Sequence, residues 1–398
     1  MRSANASFEV GSINNAIGIV AGIRNITKSA GRVSKKSMAI VAVLISTSAT
    51  AASENVATLN PIMESGGVAA RFSNARFEPS PRPSPLLRLD TPSKQQASVA
   101  ERANLLLTKN AGALTLLLLD REKILFEGYK APATEATAQH SQSMSKSLTA
   151  YMIGILLCDG QIRSLDDRAE AYVPQLQGTV YGEATIKQLL TMSSGAASAT
   201  SSGNSYEGQQ DEIRAGKVSS LDTMRRFGAR DIAAGREFRY LANDTQGLAF
   251  VLESLSGFAN TFQKRVWDQT GAEAPGFWLL DKENMALGNA GTSVVARDWG
   301  RLALWSLKQL NSSNSCMSDF MKAATSAQIP NTAKRIGAAF PSYGYQTWVR
   351  KNAYWWIGFG GQRVGVDPRS ERVLVLTSWR EDYMAEVYKL FDDWIAAY

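Results

Sequence analysis

The sequence predicts an α+β fold, one sheet assembled from strands near the two ends of the chain with a helical region inserted into its middle. Two observations carry this. Strand-like runs occur near both ends of the folded part, "ALTLLLLDREKILFEGYK" on one side and "YGYQTWVRK", "YWWIGFGGQRVGVDP" and "ERVLVLTSW" on the other, with short helices and loops between them. A composition of 44% hydrophobic and 20% charged residues is that of a globular protein with a sizeable core. No internal repeat divides the 398 residues, so strands from the two ends are expected to complete one sheet.

The elements follow in order. Residues 1–52 read as a leader: a basic patch, the apolar run Met38–Ile45, and Ala49-Thr50-Ala51 as a small-residue cleavage site. The run is too short to span a bilayer. Nor is any later segment apolar enough for stable membrane insertion. The expectation is export to the periplasm or the exterior. Residues 53–97, with "FEPSPRPSPLLRLDTPSKQQ", read as an extended Pro/Ser-rich connector. From Ser98 to Tyr398 the patterning is that of one folded domain. "SVAERANLLLTKN" reads as a helix, and the first strand pair follows. "SMSKSLTAYMIGILL" reads as a buried helix, being apolar nearly all round after its start. Residues 196–220 are polar and rich in Ser and Gly, a mobile loop or lid. "DTQGLAFVLESLSG" is a helix stopped by Gly257. "EDYMAEVYKLFDDWIAAY" closes the chain as an amphipathic helix.

The charge of +7 does not indicate nucleic acid. Arg2, Arg24, Lys28, Arg32, Lys35 and Lys36 against Glu9 place +5 of it in residues 1–52, and no dense basic stripe follows. The single histidine, His140, rules out a multi-histidine metal site. Cys158 and Cys316 fit no metal-ligand spacing. They read as two buried free thiols, with pairing left open because sequence cannot place them within bridging range.

Ser143 and Lys146 form the one S-x-x-K of the chain. On a helix, i and i+3 share a face, with Cβ atoms roughly 5–6 Å apart, so Oγ and Nζ can meet. Ser145 projects about 200° away from Ser143. At a helix start, Ser143 gains from the dipole, which favours a developing alkoxide, and desolvation would lower the Lys146 pKa. "GREFRYLANDTQ" places Tyr240 on a turn before an apolar helix. His140 lacks an orienting acid and a G-x-S-x-G elbow, so Tyr240 is the substitute base. Bringing a phenol to neutrality requires about 4 kcal/mol of anion stabilisation, much of which a nearby ammonium can supply. Which of Tyr240 and Lys146 is the formal base is a question about a coupled pair. In "WWIGFGGQRVGVDP", glycines within a strand mark the close approach of another backbone or a ligand. The amides of Ser143 and Phe359 are the candidate oxyanion donors.

"SMSKSLTAYMIGILLCDGQIRSLDD", "TIKQLLTMSSG", "FRYLANDTQGLAFVLE" and "GFGGQRVGVDP", in this order, resemble the serine β-lactamase-related hydrolases. That family comprises class C β-lactamases, D-alanyl-D-alanine peptidases, esterases and 6-aminohexanoate-dimer hydrolases. The resemblance covers residues 98–398. It implies the β-lactamase/transpeptidase-like fold, an antiparallel sheet flanked by helices plus an inserted all-helical subdomain, with the site between them. It also implies Ser143 as nucleophile, Lys146 and Tyr240 as the proton-handling pair, and Phe359 N–H as the second oxyanion donor. Two departures stand out. Position +2 from Tyr240 is Ala242 where the β-lactamase branch has Asn; Asn243 comes one residue late and is carried as a substrate-binding candidate with Trp356, Gly358 and Gly360. Trp356-Ile357-Gly358 replaces Lys-Thr-Gly, which removes the usual partner of a substrate carboxylate. The aromatic residues Tyr343, Tyr345, Trp348, Tyr354, Trp355 and Trp356 are candidates for lining an apolar pocket, Trp356 first.

The expected function is a serine hydrolase that cleaves a small ester or amide through an acyl-enzyme, needing no metal or cofactor. The rivals are a β-lactamase or D,D-peptidase of the same fold, and a catalytically silent binding or sensor domain. The sequence does not specify an oligomeric state.

Overall fold

The computed structural model describes residues 74–197, 212–213, 216–332, 336–351 and 353–397. All belong to the second of two compact units, 55–398. The leader 1–52 and, of the expected loop or lid 196–220, residues 198–211 and 214–215 lie outside the described residues.

The strands are β1 (Asn74–Phe77), β2 (Leu87–Arg88), β3 (Ala113–Asp120), β4 (Lys123–Tyr129), β5 (Gln139–His140), β6 (Gly276–Leu279), β7 (Thr292–Val294), β8 (Ile329–Pro330), β9 (Ser342–Tyr343), β10 (Trp348–Arg350), β11 (Ala353–Gly358), β12 (Gln362–Asp367) and β13 (Arg372–Ser378). The principal helices are α1 (Lys94–Lys109), α2 (Ser145–Cys158), α3 (Ile186–Leu190), α4 (Ala242–Ser256), α5 (Ala296–Asn311), α6 (Cys316–Ala324) and α7 (Met384–Ala396).

The large sheet has the order β2-β4-β3-β13-β12-β11-β10-β9-β8. It is antiparallel except where β2 meets β4. The two ends of the chain do meet in it: β3 pairs with β13, with Leu117 opposite Val375. Period-2 alternation sorts its side chains into two cores. Leu116, Leu118, Trp355, Leu374 and Leu376 face α1 and α7, where Val99, Leu107, Val387, Phe391 and Trp394 complete one layer. Leu117, Leu119, Trp356, Val373 and Val375 face the other way, onto α2, α5 and the helical region. α5 approaches β3 closely because residue 300 is glycine; a Cβ there would lie 2.8 Å from Leu119 Cδ1.

Two findings go beyond the expected plan. A second sheet, β1-β6-β7-β5, accompanies the helical insertion. Its short strands carry too little alternation to be read in sequence. And the connector, where described, is anchored: β1 pairs with β6, and Phe77 packs edge-on against Phe262 and Trp267. α1 starts at Lys94, earlier than the expected Ser98, because Ser93 and Gln96 form a capping box ahead of it.

The free-thiol expectation is corrected. Cys158 at the end of α2 and Cys316 at the start of α6 form a disulfide, with Cα atoms 5.7 Å apart. α6 lies against α2 closely enough that a Cβ on Gly154 would meet the Phe320 ring at 2.4 Å. This contact between segments 158 residues apart is what sequence spacing could not reveal. A cross-link closing so long a loop stabilises by about 2–4 kcal/mol. The Cys158→Ala/Cys316→Ala variant is therefore expected to lose that much in urea unfolding, and reduced wild type to lose the same. Equal midpoints for oxidised, reduced and variant protein would contradict it.

Candidate active site

The site is built on the turn between β5 and α2. β5 pairs with β7, and Ser141 N–H donates to Thr292 O at 2.7 Å. Gln142 then takes φ 48°, in the left-handed region that ordinary side chains avoid. It lifts the chain into the tight turn Gln142–Met144, from which α2 departs at Ser145. Ser143 thus sits just before the helix proper, not within its first turn as expected, and it is half-buried where Ser141, Ser145 and Ser147 are fully buried.

Those three serines are occupied. Ser141 Oγ donates to Gln142 O at 2.8 Å and meets Ser145 Oγ at 2.5 Å. Ser145 Oγ accepts from Thr292 N–H at 3.1 Å. Ser147 Oγ donates to Gln346 O at 2.6 Å. Each ties α2 to a neighbour, which explains a buried helix that opens with so many hydroxyls.

Lys146 lies one residue inside α2 and is 2% exposed. Its Nζ lies 3.2 Å from Ser143 Oγ and donates to Asn289 O at 2.6 Å. That carbonyl belongs to a segment held along α2 by Thr149 Oγ1, which donates to Gly288 O, and by the Ser145–Thr292 contacts. The half-buried ring of Tyr240 lies with its centroid 5.4 Å from the same Nζ. The ring is backed by Trp348 at 5.3 Å, and by Tyr343 and Phe238 each at 6.3 Å. The structure thus brings together Ser143, Lys146 and the ring of Tyr240.

β11 closes the site from the sheet side. A Cβ on Gly358 would lie 2.2 Å from Ser141 O, so only glycine lets the strand end rest on the chain entering the Gln142–Met144 turn. Gly360 and Gly361, with φ 75° and 95°, then turn the chain back into β12. Phe359 opens that turn, and its side chain is 64% exposed.

Several candidates are not where they were expected. Trp356 is wholly buried; its Nε1–H donates to Tyr151 Oη at 2.9 Å on the α2 side of the sheet. Strand parity aims it with Tyr354 into the core, so it lines no cleft. The other five aromatic candidates are buried too. Tyr343 and Trp348 back the Tyr240 ring, Trp355 packs against Tyr388 and Phe391, Tyr345 against Phe320, and Tyr354 hydrogen-bonds Ser306. Asn243 is 1% exposed and donates to Tyr181 Oη within the helical layer. His140 is buried, with Nδ1 3.2 Å from Ser293 Oγ.

Asp244, which the sequence reading passed over, ties the start of α4 to the loop after α3. It accepts from Ser194 N–H at 3.2 Å and Ser194 Oγ–H at 2.7 Å. Burial pushes its carboxyl up to about 7, against the lowering pull of those two bonds. Between the ordinary carboxylate value near 4 and pH 7, the folded state therefore holds a proton that the unfolded state has released. Stability from this group is present below that window, falls as pH rises through it, and is level above. Relative to wild type, Asp244→Asn is expected to gain up to about 4 kcal/mol across the window. Urea unfolding at pH 4.5, 6 and 7.5 checks this; parallel pH slopes for the two proteins would contradict it.

A sheet completed from both chain ends, a helical insertion, and a serine–lysine pair at the head of the helix buried between them define the serine β-lactamase-like class. The match to the Beta-lactamase family over residues 104–393 agrees, and the chain belongs to that family of hydrolases. The 6-aminohexanoate-dimer hydrolase of Paenarthrobacter ureafaciens is 26% identical over 332 residues, 77% of this chain and 81% of that protein. Among solved structures, a Bacillus anthracis protein provisionally assigned as a 6-aminohexanoate-dimer hydrolase superimposes with TM-score 0.68 at 19% identity, covering 82% of this chain and 90% of its own. EstCE1, a hydrolase with promiscuous acyltransferase activity, gives 0.60 at 16% identity over 77% and 99%.

Proposed function

We propose that this chain is a serine hydrolase that cleaves small esters or short amides through an acyl-enzyme on Ser143. The observation that carries the reading is the 3.2 Å approach of Lys146 Nζ to Ser143 Oγ beside the Tyr240 ring. Ser143 Oγ attacks the substrate carbonyl while its proton passes to the Lys146–Tyr240 pair. The amides of Ser143 and Phe359 hold the oxyanion. The pair returns the proton to the leaving alcohol or amine. Water then enters, is deprotonated by the same pair, and releases the acyl group.

What the strand presents supports this substrate class. Trp356 stands where the β-lactamase branch has a lysine, and it is buried. The exposed ring of Phe359 offers an apolar surface instead. Likeness to the Paenarthrobacter 6-aminohexanoate-dimer hydrolase favours a short amide or ester over a β-lactam. The disulfide supports folding in an oxidising compartment, in keeping with export.

The test is a screen on one preparation: p-nitrophenyl esters, the linear dimer of 6-aminohexanoate, and nitrocefin. Turnover of an ester or the dimer, with nitrocefin slow, is expected. Fast nitrocefin turnover or a stable penicillin adduct would move the chain to the β-lactamase or D,D-peptidase branch. No turnover and no fluorophosphonate labelling of folded protein would mark a silent binding domain.

A further inference from the structure

The peptide unit that supplies the Phe359 N–H is held at its other end by a buried cation. Gly358 C=O and Phe359 N–H belong to one planar unit and, in the trans form, point in opposite directions. Arg363, 1% exposed on β12, donates from Nη1 to Gly358 O at 3.0 Å and to Gln362 O at 2.9 Å. Its Nε–H donates to Tyr388 Oη on α7 at 3.0 Å, and Nη2 faces the half-exposed carboxylate of Glu381 at 3.5 Å. Gly358 also packs beside Ser141 O, which a Cβ at this position would meet at 2.2 Å.

As a source of stability this arrangement is poor. A desolvated guanidinium gains little from an exposed carboxylate at that distance, and an apolar residue of similar volume would fill the space as well. What the charge does achieve is local. It fixes the plane of the 358–359 peptide and draws electron density toward its oxygen, which strengthens the N–H at the far end as a donor.

We propose that Arg363 is a positioning residue of the oxyanion hole, acting on the tetrahedral intermediate through the Gly358–Phe359 peptide without touching substrate. This rests on the assignment of the Phe359 amide made above. The hydrogen bonds of Arg363 go to Gly358 O, Gln362 O, Tyr388 Oη and the Glu381 carboxylate, all groups of the protein itself, so its loss should weaken transition-state binding and leave ground-state binding nearly unchanged.

The experiment is a double-mutant cycle on the best p-nitrophenyl ester, using Arg363→Gln and Phe359→Pro. Proline removes the N–H itself. Gly358, at φ −121° and ψ 152°, already has the extended geometry that precedes proline, and residue 359 is the first of its turn. Phe359→Pro is expected to lower kcat by roughly 100-fold or more. Arg363→Gln is expected to lower kcat roughly tenfold with KM within about twofold, and Arg363→Lys to recover part of the loss. On the Phe359→Pro background, Arg363→Gln should add less than about a twofold effect. Wild-type kcat in folded Arg363→Gln, or the same loss on both backgrounds, overturns the proposal and leaves the oxyanion assignment standing. Wild-type kcat in folded Phe359→Pro overturns the oxyanion assignment, and the proposal with it. Should Arg363→Gln fail to fold, Arg363→Lys decides alone: a severalfold fall in kcat at constant KM supports the role, and wild-type kcat refutes it.

Discussion

Ser143→Ala is expected to lower ester turnover by about 10⁴- to 10⁶-fold and to abolish labelling by a fluorophosphonate. The size of the effect follows from what the substitution removes. Covalent catalysis splits one difficult displacement into two easier ones, and without Oγ neither half exists. The residual rate comes from the oxyanion amides and from binding. Folding should be undisturbed. Ser143 is half-buried and its hydroxyl meets Lys146, whereas Ser141, Ser145 and Ser147 hold the helix to its surroundings. Activity measured beside a thermal unfolding curve checks both halves. A variant that folds and retains a tenth or more of wild-type turnover would place the nucleophile elsewhere.

Lys146→Met is expected to give the second largest effect, a loss of roughly 10²- to 10⁴-fold in kcat/KM. Methionine keeps the unbranched shape in a position that is 2% exposed, so packing should survive while the amine is lost. Tyr240→Phe, which removes only the hydroxyl, should fall in the same range. If the amine, the phenol and the serine hydroxyl exchange protons as one unit, as proposed, the double variant should be little worse than the poorer single one. Losses that multiply in the double variant would mean that Lys146 and Tyr240 act independently. Wild-type kcat/KM in Lys146→Met would remove the lysine from the chemistry altogether.

Much of this arrangement was legible in the sequence because it depends on local periodicity. The apolar run after Ser143 reads as a buried helix, so its polar start is expected at the edge of the core, and Lys146 meets Ser143 at the expected offset of three although a tight turn puts Ser143 just ahead of the helix. Glycine at 358 announced a close approach, and the atom approached is Ser141 O. What was not legible depends on parity and on distant contacts. Trp356 was read as cleft lining from its place in the strand. One residue of alternation sends it to the core with Tyr354, and the same parity turns Gly358 toward Ser141. The Cys158–Cys316 bond required knowing that α6 packs along α2. Asn289 contributes a carbonyl, for which no side-chain signal exists. Arg363 meets Gly358 O because β11 and β12 form a hairpin with Gly358 opposite Gln362, a pairing of strands that side-chain patterning does not announce.

The most direct measurement is the mass of the covalent intermediate. Protein quenched in acid during turnover of a slow ester, then digested and mapped, should carry the acyl mass on a single peptide, with the adduct on the oxygen of residue 143 and none in the alanine variant. An acyl group found on a different residue, or steady turnover with no adduct under conditions where hydrolysis is rate-limiting, would contradict a mechanism in which that hydroxyl attacks the substrate with the amine and the phenol moving its proton.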